Sequence, residues 1–184
     1  MKLVLLRHAQ TTAPDGLCYG SSDVSVRPEV TCELAARLAP GLPRDALMRC
    51  SPLSRCAELA REIAVLRPDL LPDPDARIAE MDFGDWEGRA WKSIARAEMD
   101  AWMRDFADTR AGGSGESTRQ FMQRVGLAFD DWRDGGAGRD MVWVTHAGVI
   151  RAVSLLHAGR RSVEQAAQWP GGAIEFGASV VFEG

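Results

Sequence analysis

Residues 1–11, MKLVLLRHAQT, and residues 141–149, MVWVTHAGV, share one pattern: an apolar run that stops at a histidine. Leu3 to Leu6 is followed by Arg7 and His8, and Val142 to Val144 by Thr145 and His146. The runs are continuous rather than alternating, as strands covered on both faces require. Two buried strands, each delivering a histidine at its carboxyl end, imply a sheet whose edge gathers chemistry.

Between and beyond these two stretches, short apolar runs alternate with helical patterns. Val30, Leu34, Ala35 and Leu38 sit at helix spacing, ended by Pro40-Gly41. Residues 46–50 read as a second strand. Ser51-Pro52 then predicts an N-cap with proline at the first helical position. Leu53, Cys56, Ala57, Ala60, Ile63 and Ala64 form one stripe, so a helix is expected over about 52–66. Pro68, Pro72 and Pro74 predict a connector with little structure, and 77–79 a short strand. Residues 81–116 carry Trp86, Trp91 and Trp102, a helical middle near 90–106 and a Gly-rich loop over 111–115. A helix is expected over 117–133, closed by Gly135-Gly136-Ala137-Gly138, then a strand over 141–145, a helix over 148–158 and a last strand over 178–182. This order predicts an α/β fold: a three-layer arrangement with a mostly parallel central sheet and helices on both faces. One domain, 1–184, is expected, with the segment 81–116 inserted as a small helical cap. In such sheets ligands collect beyond the carboxyl ends of the strands.

Bulk numbers narrow the function classes. The 184 residues are 46% apolar and 26% charged, the balance of an ordinary globule. A net charge of −4 argues against a nucleic-acid partner, which selects a basic surface. Arg greatly outnumbers Lys, and Arg suits bidentate phosphate recognition. Cys18, Cys32, Cys50 and Cys56 form no CxxC pair and lie at no metal-ligand spacing from a histidine; they read as reduced thiols of a cytoplasmic protein. The first apolar run is too short for a signal peptide, and no stretch approaches the ~20 apolar residues of a membrane span.

After the proposed strands come Arg7, His8 and Thr11, then Ser51 and Arg55, then Glu80, then His146. Two guanidiniums suit a phosphate dianion, and the start of the 52–66 helix adds N–H donors and its dipole. One imidazole, its protonation disfavoured by the positive field, is a candidate nucleophile. One carboxyl is a candidate proton donor and later base. Other readings of the same residues stay open. Such histidines also serve as caps or core residues, Arg55 as a solvated charge and Glu80 as a surface group. His8, His146 and Glu80 would also make a workable catalytic zinc set, against which the neighbouring Arg7 and Arg55 weigh.

LRHAQT resembles the Arg-His-Gly motif of the histidine phosphatase superfamily, also called phosphoglycerate mutase-like. SPLSRCAELA, AEMDFGDWEG, GGSGES with FMQRV, and VTHAGVIRAV resemble four further motifs of that family, in order. The resemblance implies a phosphohistidine on His8. It makes Arg7, Arg55 and His146 the holders of phosphoryl oxygens and Glu80 the proton donor. Thr11, Gly20 and the backbone near Ala147 would help line the pocket. It implies hydrolysis of a small phosphorylated metabolite without metal or cofactor. The sequence is silent on oligomeric state, a homodimer being one assembly to consider. The short cap and EMDFGDWEG look most like the alpha-ribazole phosphatase branch of cobalamin biosynthesis. A mutase-type phosphotransferase and a non-catalytic phospho-ligand binder are the alternatives. Ala9 and Ala147 replace frequent glycines, and Pro14 stands where many relatives carry Asn. His157 reads as structural.

Overall fold

The computed structural model describes residues 1–135 and 138–184. Five strands form one sheet in the order β3-β2-β4-β1-β5. They are β1 (Lys2–Arg7), β2 (Leu47–Cys50), β3 (Pro72–Pro74), β4 (Met141–Thr145) and β5 (Ser179–Glu183). All neighbouring pairs are parallel except β1 and β5, so β5 is the antiparallel edge. The helices are α1 (Pro28–Leu38), α2 (Ser54–Leu66), α3 (Arg96–Arg104), α4 (Thr118–Gly135) and α5 (Ala147–His157).

The continuous apolar runs have a direct reading in the packing. Leu3 and Leu5 of β1, with Met141 and Trp143 of β4, face the layer that holds α4 and α5; there they meet Phe121, Val125, Phe129, Ile150 and Val153. Val4 and Leu6, with Val142 and Val144, face the opposite layer of α1 and α2, against Leu34, Ala35, Leu59, Ala60 and Ile63. Period-2 alternation thus survives, but both sets need apolar residues.

Four local expectations are corrected. The proline-rich connector contains β3, which pairs in parallel with β2 through Met48, Arg49 and Cys50. It lies at the sheet edge, where a missing N–H is tolerated. The strand expected over 77–79 is a 3-10 turn, Ala76–Ile78, opened by the Asp75 side chain accepting from the Arg77 N–H at 2.9 Å. Helix α2 begins at Ser54, later than expected, and Ser51 does not cap it. The Ser54 N–H donates instead to Asp23 Oδ1 at 2.8 Å, from a loop thirty-one residues upstream. The helix expected over 90–106 is split into a 3-10 turn, Trp91–Ser93, and α3. The closing turn expected at 135–138 falls partly on 136–137, outside the described residues. In the segment 81–116, Trp86 packs edge-to-face on Trp91 and Trp102, with ring centroids 6.3 and 5.6 Å apart. Among the described residues no helix is long and apolar enough to cross a membrane.

Candidate active site

The register of β1 and β4 sets up the site. Arg7 pairs with Thr145, so His8 and His146 leave adjacent parallel strands at the same level. The His8 N–H donates to the Thr145 carbonyl at 3.1 Å, and the imidazole centroids lie 5.2 Å apart. The neighbouring strand β2 contributes Ser51, whose N–H donates to the Val144 carbonyl at 3.0 Å. Its hydroxyl lies 2.8 Å from His146 Nε2, and this contact is what the N-cap expectation overlooked. One turn further on, α2 brings in Arg55.

One cavity of about 300 Å³ has Arg7, His8, Thr11, Arg55, Glu80 and His146 in its wall. The remaining wall includes Gln10, Pro14, Asp15, Leu17, Tyr19, Trp91 and Phe176. Gly20 and Ala147, expected to help line the pocket, are not in that wall. Gly20 sits behind Arg55, and Ala147 opens α5. Ala9 and Ala147 carry no strain, since Asp45 is the one non-glycine at positive φ among the described residues. Phe176 and Tyr19 were not singled out in the sequence: no periodicity marks a lone aromatic in an irregular segment. His157 lies at the surface, 5.2 Å from the Phe182 ring.

Positive charge in the cavity comes from two arginines. Arg55 is fully buried, yet its guanidinium hydrogen-bonds only carbonyls: Nη1 donates to Ser22 O at 2.7 Å and Nη2 to Gly20 O at 2.5 Å. Arg7 donates to the Ile174 carbonyl and lies 3.9 Å from the Phe176 ring centre. The Nε of each arginine is buried and unpartnered, and among the described residues neither forms an ion pair with a carboxylate. Two guanidiniums without counter-ions are costly in a folded interior unless an anion joins them.

Both histidines are held neutral. Burial, helped by the charges of Arg55 and Arg7 and opposed by the Ala9 carbonyl, pulls the His8 pKa down to about 3. His8 Nδ1 donates to that carbonyl at 2.7 Å, so Nε2 carries the free lone pair. Burial, with His8 and three arginines, holds His146 well below its ordinary value. Cys56 lies 3.4 Å from His146 Nε2, but burial raises its thiol pKa and leaves it inert.

Glu80 comes from the segment after β3. Its Oε2 accepts from the Gly148 N–H and its Oε1 from the Met81 N–H, both at 3.0 Å. A Cβ on Gly148 would lie 2.1 Å from Oε1, so only glycine at the start of α5 lets the carboxylate sit there. Arg124 braces the same segment, donating to the carbonyls of Arg77, Ala79 and Glu80 and, through Nε, to Glu116 Oε1 at 2.6 Å. Glu80 also borders a second cavity of about 340 Å³, walled mainly by Met81, Phe83, Trp102, Phe106, Phe121 and Trp169. Among the described residues no group of three or more His, Cys, Asp or Glu is arranged to hold a metal ion. That includes the His8, His146 and Glu80 set weighed for zinc.

Sheet order and cavity together define an α/β protein with an arginine- and histidine-lined cavity at the carboxyl edge of its parallel strands. The model of the histidine phosphatase superfamily (branch 1) matches residues 3–173, and the chain belongs to that superfamily. The metal-independent phosphoserine phosphatase of Arabidopsis thaliana is 30% identical over 163 residues, covering 84% of this chain and 67% of that protein. The bifunctional protein Rv2228c of Mycobacterium tuberculosis is 30% identical over 162 residues, covering 84% of this chain but only 43% of its own length. Among solved structures, the mycobacterial glucosyl-3-phosphoglycerate phosphatase Rv2419c in complex with VO3 superposes with a TM-score of 0.80 at 26% identity, covering 98% of this chain and 91% of that one. TTHB049 from Thermus thermophilus gives 0.73 at 27% identity, covering 98% and 92%.

Proposed function

We propose that the protein hydrolyses small phosphate monoesters through a phosphohistidine on His8. One observation carries the reading: two guanidiniums without carboxylate partners and two neutral imidazoles line the same cavity as a carboxylate. The guanidiniums of Arg7 and Arg55, with His146, hold the phosphoryl oxygens and balance the charge that spreads over them in the transition state. His8 Nε2 attacks phosphorus in line; the P–N bond forms as the P–O bond to the leaving group breaks. The Glu80 carboxyl delivers a proton to the departing alkoxide and is left as a carboxylate. Water then attacks the phosphohistidine, loses a proton to Glu80, and releases inorganic phosphate and free His8. Uncatalysed monoester hydrolysis is so slow that the site must lower the barrier by roughly 20 kcal/mol or more.

The names of the relatives bring phosphoserine and glucosyl-3-phosphoglycerate to the substrate question. Alpha-ribazole 5′-phosphate enters on other grounds: the wording of residues 79–88, the short cap, and the aromatic cavity beside Glu80, which suits a flat apolar ring. Turnover should be measured with these three esters and 3-phosphoglycerate, with and without an acceptor alcohol. Release of inorganic phosphate from at least one ester is expected. Capture of the phosphoryl by the acceptor in preference to water would make the protein a mutase. Tight phosphate binding with no turnover of any ester, p-nitrophenyl phosphate included, would make it a binder.

A further inference from the structure

We infer that Glu87 is a positioning residue for Arg55, acting through the backbone of residues 20–22. The inference rests on the phosphatase reading and adds to it a residue outside the cavity wall. Glu87 accepts from the N–H groups of Gly20, Ser21 and Ser22 at 2.9–3.1 Å, from the Phe83 N–H at 3.0 Å and from the Ser22 hydroxyl at 2.5 Å. The carbonyls of two of those residues, Gly20 and Ser22, hold the two ends of the Arg55 fork. The same short segment is thus gripped on its N–H side by a carboxylate and on its C=O side by a guanidinium.

Residues 20–23 belong to no helix or strand, so their geometry depends on side-chain partners. Gly20 has no room for a side chain: a Cβ would lie 1.8 Å from the Met81 carbonyl oxygen. The segment is therefore pressed against residues 81–83 while Glu87 ties down its N–H groups. Burial works against charge on Glu87, but hydrogen bonds from the Ser22 hydroxyl and the Phe83, Gly20 and Ser21 N–H groups outweigh it and hold the pKa below the usual glutamate value. The carboxylate is thus ionised at neutral pH and accepts all these donors. An arginine whose carbonyl partners drift by even a fraction of an ångström loses bidentate alignment with a phosphate.

The test is a double-mutant cycle read in phosphate affinity. Glu87→Gln keeps the shape but replaces one accepting oxygen with an NH2 group. Dissociation constants for inorganic phosphate are measured by calorimetry for wild type, Glu87→Gln, Arg55→Lys and the double variant, with thermal midpoints alongside. Arg55→Lys keeps a positive charge but gives up the planar fork. Glu87→Gln should weaken phosphate binding roughly tenfold in the wild-type background and less than about twofold in the Arg55→Lys background. The thermal cost should be the same in both backgrounds. Equal weakening in the two backgrounds, or unchanged affinity in Glu87→Gln, overturns the inference and leaves the phosphatase reading intact. Wild-type protein that binds no phosphate overturns both. Should Glu87→Gln not fold, Ser22→Ala removes one bond to the same carboxylate, and a roughly twofold to threefold weakening that vanishes beside Arg55→Lys is expected; no weakening overturns the inference.

Discussion

Two nitrogen atoms of one ring divide the labour at His8. Nδ1 is fixed on the Ala9 carbonyl, which leaves Nε2 as the atom proposed to accept the phosphoryl group. His8→Ala should lower turnover of p-nitrophenyl phosphate by roughly a thousandfold or more while leaving vanadate binding within about tenfold of wild type. Residual turnover within tenfold would remove His8 from the mechanism. Glu80→Gln should slow esters of alkyl alcohols roughly a hundredfold more than p-nitrophenyl phosphate, whose leaving group needs no proton. Equal slowing of both would contradict the donor role. At this scale the sequence was informative: Arg7, His8, Arg55, Glu80 and His146 all line the cavity. Sequence reading missed the partners that hold them. The Ser51–His146 bond, the Arg124 brace and the Glu87 clamp join residues 95, 44 and 67 positions apart, and no local pattern announces such pairs.

Elements place these residues, and their termini matter more than their middles. Helix α5 begins with a glycine in its first turn because the Glu80 carboxylate occupies the volume a Cβ would need. Ala at position 148 would favour the helix by propensity alone. Gly148→Ala should nonetheless slow alkyl phosphate hydrolysis tenfold or more with little loss of thermal stability; full activity would show that Glu80 tolerates displacement. The long, patterned elements β1, β4, α4 and α5 were legible because burial dictates their composition. The start of α2 was misread because Ser51 satisfies a histidine rather than a helix end, and the cap comes from Asp23 in a distant loop. Strand β3 was misread because three residues containing two prolines carry no strand signal; pairing with Cys50 and its neighbours makes it one. The 3-10 turn at Ala76–Ile78 replaced the expected strand because Asp75 closes the chain on itself, and Asp-initiated turns compete with extension.

For the whole molecule, the buried neutral imidazoles couple stability to pH. Below the ordinary histidine pKa of about 6.5 the unfolded chain takes up protons at His8 and His146, while the folded chain does not. Stability is therefore full above about pH 6.5 and falls on acidification towards His8's folded value of about 3. Chemical denaturation at about pH 7.5, 5.5 and 4.5 should show wild type losing about 1.4 kcal/mol more than His8→Asn between the first two and roughly as much again between the last two. Parallel losses would mean His8 titrates normally in the fold. Burial, helped by Arg55 and Arg7, keeps His8 unprotonated, and the same two arginines are the groups proposed to hold the phosphate ester. The phosphohistidine is sought by mixing the protein with a phosphate ester that it turns over, quenching in alkali within the first turnover, and locating the phosphoryl group by peptide mass spectrometry. An acid-labile phosphoryl on His8, lost when water completes the cycle, is expected. Turnover with His8 unmodified, or the phosphoryl on any other residue, would contradict the proposed mechanism.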